Sequence, residues 1–411
     1  MDGATTIEEL VRASLDRCVK CTICETACPV AAVTALFPGP KYAGPQLERF
    51  RAGGPSPDAS LDLCSGCGIC THVCPHGVKV AEINAVARAA MKAQRGVPLR
   101  DRIVSRPSVS ARLARPIAPL ANALLAAGWF RALLERSLGI HRRAPLPPVA
   151  RRSFQAWVRR RRPPALPRAV VYFHGCSTDH FEPRLGRMAV EVLEHNGLRV
   201  AVPPQGCCGL PLQSNGLLDE ARRSVRRLAA RLAPYARRGY PIVATSTSCG
   251  LMLKREAMEI LGLEDDPDLR AVSEHLYDVC EFLLLLHERG ELRTDLRPVE
   301  LTLPYHAPCQ QRGHGVGKPA LELLSLVPGL RVVESDVECC GIAGTYGVKR
   351  EKYEVAMAVG QPLFRLVREV GADAVACDSE TCRWQIAHAT GVPALHPIEV
   401  LHRAYGLGPP S

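Results

Sequence analysis

Two short runs of cysteine near the start restrict this chain more than any other feature. Cys18, Cys21, Cys24 and Cys28 precede Pro29, and Cys64, Cys67, Cys70 and Cys74 precede Pro75, both reading C-x2-C-x2-C-x3-C-P. At that spacing three thiolates of one run hold a [4Fe–4S] cube and the fourth ligates the other cube. One cube is therefore expected on Cys18, Cys21, Cys24 and Cys74, and a second on Cys64, Cys67, Cys70 and Cys28. A zinc ribbon pairs two cysteine knuckles and has no use for a third cysteine two residues further on. Disulfides need an oxidising compartment, and the opening residues read as neither a basic nor an apolar leader. A proline after the last cysteine stops a further turn and leaves no N–H beside the cluster. Two adjacent cubes imply one-electron transfer.

The length, 411 residues, allows two or three domains with their own cores. Eighteen cysteines without a secretory signal imply a reducing cytoplasm and metal ligation. Eight of the ten that follow the two runs are organised by a repeat. Cys176 recurs as Cys309, Cys207-Cys208-Gly209 as Cys339-Cys340-Gly341, and Cys249 as Cys382, at offsets of 132 or 133. Three matches at one offset mark a tandem duplication. Strands are expected at Ala169–Phe173, Leu198–Val202 and Ile242–Thr245, and again at Leu301–Tyr305, Leu330–Val333 and Ala374–Ala376, with helices between them. That alternation predicts α/β units around a mainly parallel sheet. Each repeated cysteine then lies just past the carboxyl end of a strand, where open α/β sheets bind ligands. Adjacent strand residues point to opposite faces, so both sulfurs of a Cys-Cys pair reach one site only from a turn, which Gly209 and Gly341 supply.

These residues carry a resemblance. The arrangement Cys, Cys-Cys-Gly, Cys, twice over and behind two ferredoxin-type runs, resembles the cysteine-rich CCG family. That family includes the heterodisulfide reductase cluster-binding subunit and the iron–sulfur subunits of flavin-linked dehydrogenases. The stretches Cys18–Pro29, Pro38–Pro45, Phe173–Cys176, Cys339–Gly347 and Thr381–Ile386 are similar to its branch of glycerol-3-phosphate dehydrogenase iron–sulfur subunits. The resemblance implies a helical ferredoxin-like domain with two [4Fe–4S] clusters at 1–90, a basic amphipathic segment at 91–168, and CCG repeats at 169–295 and 296–411. Overall the fold class expected is α+β and α/β. It further implies one or two more iron–sulfur clusters, held by Cys176, Cys207, Cys208 and Cys249 in the first repeat and by Cys309, Cys339, Cys340 and Cys382 in the second. The family's fullest repeats end in C-x2-C, where this chain has Ser246 and Ser379 in place of the first cysteine. A single cube, a smaller cluster and an empty site thus all stay open at the second repeat. Cys377, two residues before Ser379 and on the same strand face, is a candidate stand-in, set against an ordinary core cysteine. His174 and His306 sit beside ligand cysteines without being equivalent and read as packing or supporting residues. Cys280 has no repeat partner and reads as core.

Residues 91–168 hold 18 Lys+Arg against Asp101 and Glu135, a local excess greater than the +11 of the whole chain, so the rest of the chain is slightly acidic. The uncharged run Pro116–Phe130 is too short for a bilayer, which takes about 20 residues. Leu125, Trp129 and Leu133 fall on one helical face, and Phe154, Trp157 and Val158 on another amid arginines. Basic stretches with tryptophan on the apolar side lie in membrane interfaces and favour anionic lipid. The competing readings are a solvated linker and a nucleic-acid arm, the latter without any groove-reading or base-stacking motif.

No G-x-G-x-x-G follows a strand and no nucleophile arrangement stands apart from the ligand cysteines. The chain is therefore expected to be an electron conduit on the inner face of the cell membrane. Its expected partners are flavin-containing dehydrogenase subunits, membrane quinone and an anionic membrane surface, not nucleic acid. By resemblance the dehydrogenase is one for glycerol-3-phosphate. The alternatives are a glycolate or D-lactate oxidase, and disulfide reduction at a CCG cluster as in heterodisulfide reductase.

Overall fold

The computed structural model describes residues 13–51 and 58–408. The opening residues on which the reading of no leader rests, and the extreme ends of the expected first and last domains, lie outside them.

The β-branched and aromatic runs form strands where their pattern places them. β1 (Arg168–Phe173), β2 (Leu198–Ala201), β3 (Ile242–Ala244) and β4 (Leu276–Asp278) make a parallel sheet in the order β2-β1-β3-β4. β5 (Leu301–Tyr305), β6 (Leu330–Glu334), β7 (Val375–Ala376) and β8 (Ala394–Leu395) repeat it as β6-β5-β7-β8. The edge strands β4 and β8 go beyond the expected three per repeat, since so few residues carry no readable periodicity. The fold is the one expected: a helical cluster-binding domain followed by a duplicated α/β domain.

Side chains of β1 alternate between two cores. Val171 and Phe173 face a core of the first repeat, while Val170 and Tyr172 face one that both repeats build. In that shared core Leu193 and Leu283 meet Leu323 and Leu401. Helix Pro183–His195 packs on Pro397–Ala404, and Val279–Glu288 on Pro319–Ser325. Each contact joins an early helix of one repeat to the last helix of the other, so the halves associate as a two-fold dimer would. The two last helices carry matching capping boxes, Asp278 with Glu281 and His396 with Glu399.

Helix Val80–Arg95 buries Ile83, Ala87 and Met91 and runs across the expected boundary at residue 90. The basic segment is no loose linker. It forms helices Leu99–Val104, Pro107–Ala114, Ala118–Ala126, Gly128–Leu138 and Phe154–Val158. Several of its arginines pair with acids of the repeats: Arg106 with Glu220 at 2.5 Å, Arg143 with Glu354 at 2.6 Å and Arg168 with Glu291 at 2.7 Å. Arg100 meets Glu351 through both terminal nitrogens at 2.9 and 2.6 Å.

Two expectations for this segment need correction. Leu125 does not share a face with Trp129 and Leu133, because extended backbone at Ala127 ends one helix and starts another at 90° to it. Nor does the face of Phe154, Trp157 and Val158 look outward. Phe154 is fully buried against Tyr172 and His174, and Trp157 and Val158 pack on the shared core. The helix is one short turn capped by Ser153, and it seals that core's edge. The exposed apolar surface lies elsewhere, on Leu113 (76%), Ile117 (54%), Leu120 (58%), Trp129 (67%) and Leu133 (52%). Among the described residues no single helix is long and apolar enough to cross a membrane; the bent pair Pro107–Ala126 and Gly128–Leu138 passes by length and composition only.

Candidate iron–sulfur centres

The two N-terminal runs wrap by the same backbone device. Gly66 and Gly68 turn the second run with φ of 72° and 81°, and at the matching positions of the first run Lys20 and Thr22 adopt 61° and 69°. These left-handed turns fold successive thiols towards one point. For lysine, and more so for β-branched threonine, the conformation is strained. A small cavity is lined by Cys18, Cys21, Cys24 and also by Cys74 from the other run. Cys28 in turn lies near Cys64, and Cys67 and Cys70 both lie near Cys28 and Cys64. The fourth thiol of each run is thus brought to the other run's three. Backbone N–H groups of Ala31 and Val78 donate to Cys28 Sγ at 3.5 Å and Cys74 Sγ at 3.4 Å. Burial pushes the Cys24 and Cys28 thiols up to about 11, so binding of metal has to release their protons.

In the first repeat the chain leaves β1 and at once enters helix Gly175–His180, which carries Cys176. Cys207 and Cys208 follow β2, and Cys249 sits in the short helix Thr247–Leu251 after β3. Cys208 Sγ lies 3.2 Å from Cys249 Sγ. The Cys176 and Cys208 thiols donate to Cys207 and hold it well below the ordinary thiol range. Gly209, at φ 87°, gives its N–H to Cys207 Sγ at 3.4 Å. Gly341 does the same for Cys339 at 3.3 Å with φ 88°. A Cβ on Gly341 would come within 1.9 Å of the Ala356 carbonyl oxygen, so only glycine brings this turn against helix Tyr353–Glu369. In the second repeat the Cys309 thiol lowers Cys339 in the same way, and Cys340 lies beside Cys382.

The serines at the family's fifth position differ from one another. Ser246 Oγ accepts from Cys249 N at 3.4 Å and donates to Glu380 of the other repeat at 3.2 Å, which occupies it as a helix cap. Ser379 makes no cap bond. The two histidines also part company. His174 is used on both nitrogens, with Gly175 O at 2.7 Å and Gln155 Nε2 at 2.7 Å. His306 Nε2 is fully buried, has no partner, and lies with Cys340 and Cys382 in one group.

The second N-terminal thiol set adjoins that of the second repeat. Cys67 is close to Cys339 and Cys309, which sets the second N-terminal group against the second repeat. Cys28 and Cys64 pack in one apolar cluster with Cys309 and Cys339. Glu380, two residues before Cys382, faces Cys176 and so reaches the first repeat. All eighteen cysteines are free thiols. Sets of four soft donors, free of disulfides and aided by backbone N–H groups, suit iron–sulfur clusters. Cys280 stays apart from these sets, in the shared core beside Asp278 and Asp378.

Comparison with known proteins agrees with this layout. The model of the 4Fe-4S dicluster domain matches residues 14–78, and that of the cysteine-rich CCG domain matches residues 170–254 and 303–387. An anaerobic glycerol-3-phosphate dehydrogenase subunit of Escherichia coli K12 is 37% identical over 396 residues, which is 95% of this chain and 98% of that one. A fumarate reductase (CoM/CoB) subunit of Methanothermobacter marburgensis is 30% identical over 57% of this chain and 44% of its own. Lactate utilization protein A 1 of Bacillus mycoides is 28% identical over 57% of this chain and 94% of its own.

Proposed function

This chain belongs to the family of that Escherichia coli glycerol-3-phosphate dehydrogenase subunit, and on that premise we propose that it takes electrons singly from the reduced flavin of a glycerol-3-phosphate dehydrogenase partner and hands them to membrane quinone. That it is a multi-cluster electron-transfer subunit of an oxidoreductase follows from the family itself. The finer reading is supported by the likeness to that subunit over 95% of this chain, and by the approach of the second N-terminal thiol set to that of the second repeat. In this reading Cys18, Cys21, Cys24 and Cys74 hold one [4Fe–4S] cluster, and Cys64, Cys67, Cys70 and Cys28 the next. Cys309, Cys339, Cys340 and Cys382 then hold the third site, and Cys176, Cys207, Cys208 and Cys249 the fourth. When bound, the clusters supply one-electron redox chemistry. The protein's part is to space them, to exclude water, and to set their potentials through N–H donors such as those of Gly209 and Gly341.

A second reading keeps the conduit and changes the donor to a D-lactate or glycolate oxidase, which the likeness to a lactate utilization protein supports. Low-temperature EPR of anaerobic membranes that hold the chain and its native partners separates the two. Reduction of its clusters by glycerol-3-phosphate alone is expected. Reduction by lactate or glycolate instead would reassign the donor.

The exposed face of Leu113, Ile117, Leu120, Trp129 and Leu133 adjoins an open cleft of about 620 Å³ lined by Arg112, Arg115 and Arg151. Apolar side chains beside guanidinium groups suit the headgroup boundary of an anionic bilayer. Trp129→Asp with Leu133→Asp is expected to weaken sedimentation with phosphatidylglycerol vesicles by at least about tenfold, from the apolar area lost to water. Equal binding of both proteins, or equal binding to phosphatidylcholine, would remove the membrane from this reading.

A further inference from the structure

The two repeats share a fold and four thiols each, but they do not share a donor set. Cys377 and His306 of the second repeat stand where the first has Ala244 and Phe173. We infer that Cys377 and His306 complete the second site, Cys377 as the fifth thiolate in place of Ser379 and His306 as an imidazole donor to the same cluster. The inference rests on the reading above that the second repeat holds a cluster.

Three observations carry it. Cys377 directly follows β7, and its sulfur lies beside that of Cys382 within the apolar cluster that also holds Cys340. It is fully buried, as is His306. The His306 nitrogen and the Cys340 and Cys382 sulfurs all lie within 4.8 Å of one another, a spacing that one inorganic centre spans. A buried ring nitrogen left without a partner costs free energy unless something accepts its lone pair or takes its proton. His306 Nε2 is such an atom, whereas His174 in the first repeat spends both nitrogens on protein partners. The other ring nitrogen, Nδ1, faces Ser335 Oγ at 3.5 Å and leaves Nε2 turned to the thiols.

The first repeat cannot match this. Ala244 and Phe173 offer no donor, and Ser246 is committed as a helix cap bound to Glu380. The duplicated halves have thus diverged into a four-thiolate site and a richer one. A fifth thiolate and a neutral imidazole add two donors that the first site lacks, and ligand identity sets the potential of a cluster. The second site is accordingly set apart electronically from the first.

The full chain, produced anaerobically with its iron in place, tests the inference. With 15N-histidine incorporated, hyperfine spectroscopy is expected to detect coupling between a histidine nitrogen and one cluster, and His306→Gln is expected to abolish that coupling and shift one midpoint potential. Cys377→Ala is expected to lose or convert one Mössbauer component and leave the others unchanged. The double variant Cys377→Ala, Ser379→Cys puts a thiolate at the family position and is expected to restore the component, which separates a lost ligand from a lost fold. An unaltered spectrum in Cys377→Ala, or no nitrogen coupling in the labelled protein, overturns the inference. An iron content of only about eight per unsubstituted chain, the content of two cubes, would instead sink the reading on which it rests.

Discussion

Cys28→Ser is expected to empty the site built by Cys64, Cys67 and Cys70, and to spare the one built by the run in which Cys28 itself lies. Cys28 is buried in an apolar cluster with Cys64, Cys309 and Cys339, not in the cradle of Cys18, Cys21, Cys24 and Cys74. Serine offers a harder and far less acidic oxygen, which is a poorer ligand for iron than a thiolate. The loss is about four irons per chain. Because the emptied site stands between the first thiol set and the second repeat, electron delivery should collapse although three cluster sites keep their ligands. Iron analysis and EPR of the dithionite-reduced variant check this. Loss of the signal of the other cube, with this one intact, would mean that the fourth cysteines do not exchange. Cys74→Ser should produce the complementary spectrum, since Cys74 lines the cradle of the first run.

The candidate thiols and the strands that precede them are legible because both depend on short-range order. Repeat offsets of 132 and 133 locate Cys309, Cys339, Cys340 and Cys382 without any knowledge of packing. What stayed hidden depends on contacts between distant segments. Nothing local in Pro183–His195 announces that it packs on Pro397–Ala404. Nothing near Cys67 tells that it will lie against Cys339. Amphipathic spacing names a face but not what covers it, so Phe154 and Trp157 read as outward when the shared core takes them. The break at Ala127 escaped for a different reason. Leu125 and Trp129 are four apart, and only the extended backbone between them separates their faces. His306 and His174 look alike in sequence because which ring nitrogen finds a partner is decided by packing.

Asp101→Asn is expected to destabilise the folded protein by about 3 to 5 kcal/mol, the cost of stripping one partner from a buried ion network. Asp101 is 1% exposed. Its carboxylate accepts from Lys92 at 2.6 Å, Lys349 at 2.9 Å and Arg100 at 3.2 Å, which joins helix Val80–Arg95, the basic segment and the second repeat. Asp62 extends the network, with Lys352 at 2.7 Å, and lies two residues before Cys64. Burial opposes ionisation of Asp101, but Lys349 and Lys92 outweigh it and hold the carboxyl at about 2. A carboxyl depressed in the fold stabilises above its unfolded value of about 3.9, and that contribution fades as pH falls towards about 2. Lys349 works the other way. Burial, with Lys352 and Lys92 nearby, brings it down to about 7, so its charge is a penalty below that pH that lifts as pH rises towards about 10.4. With the Asp101 charge gone, the Lys349 amine is lowered further and sheds at neutral pH the proton that the intact pair still partly holds, whereas by pH 9 it is neutral in both proteins. The variant's deficit should therefore be larger at pH 7 than at pH 9, read from urea midpoints at equal iron loading. An equal deficit at both would assign the loss to packing rather than to the lost charge pair, and no deficit at either would show that the network does not hold the three segments together.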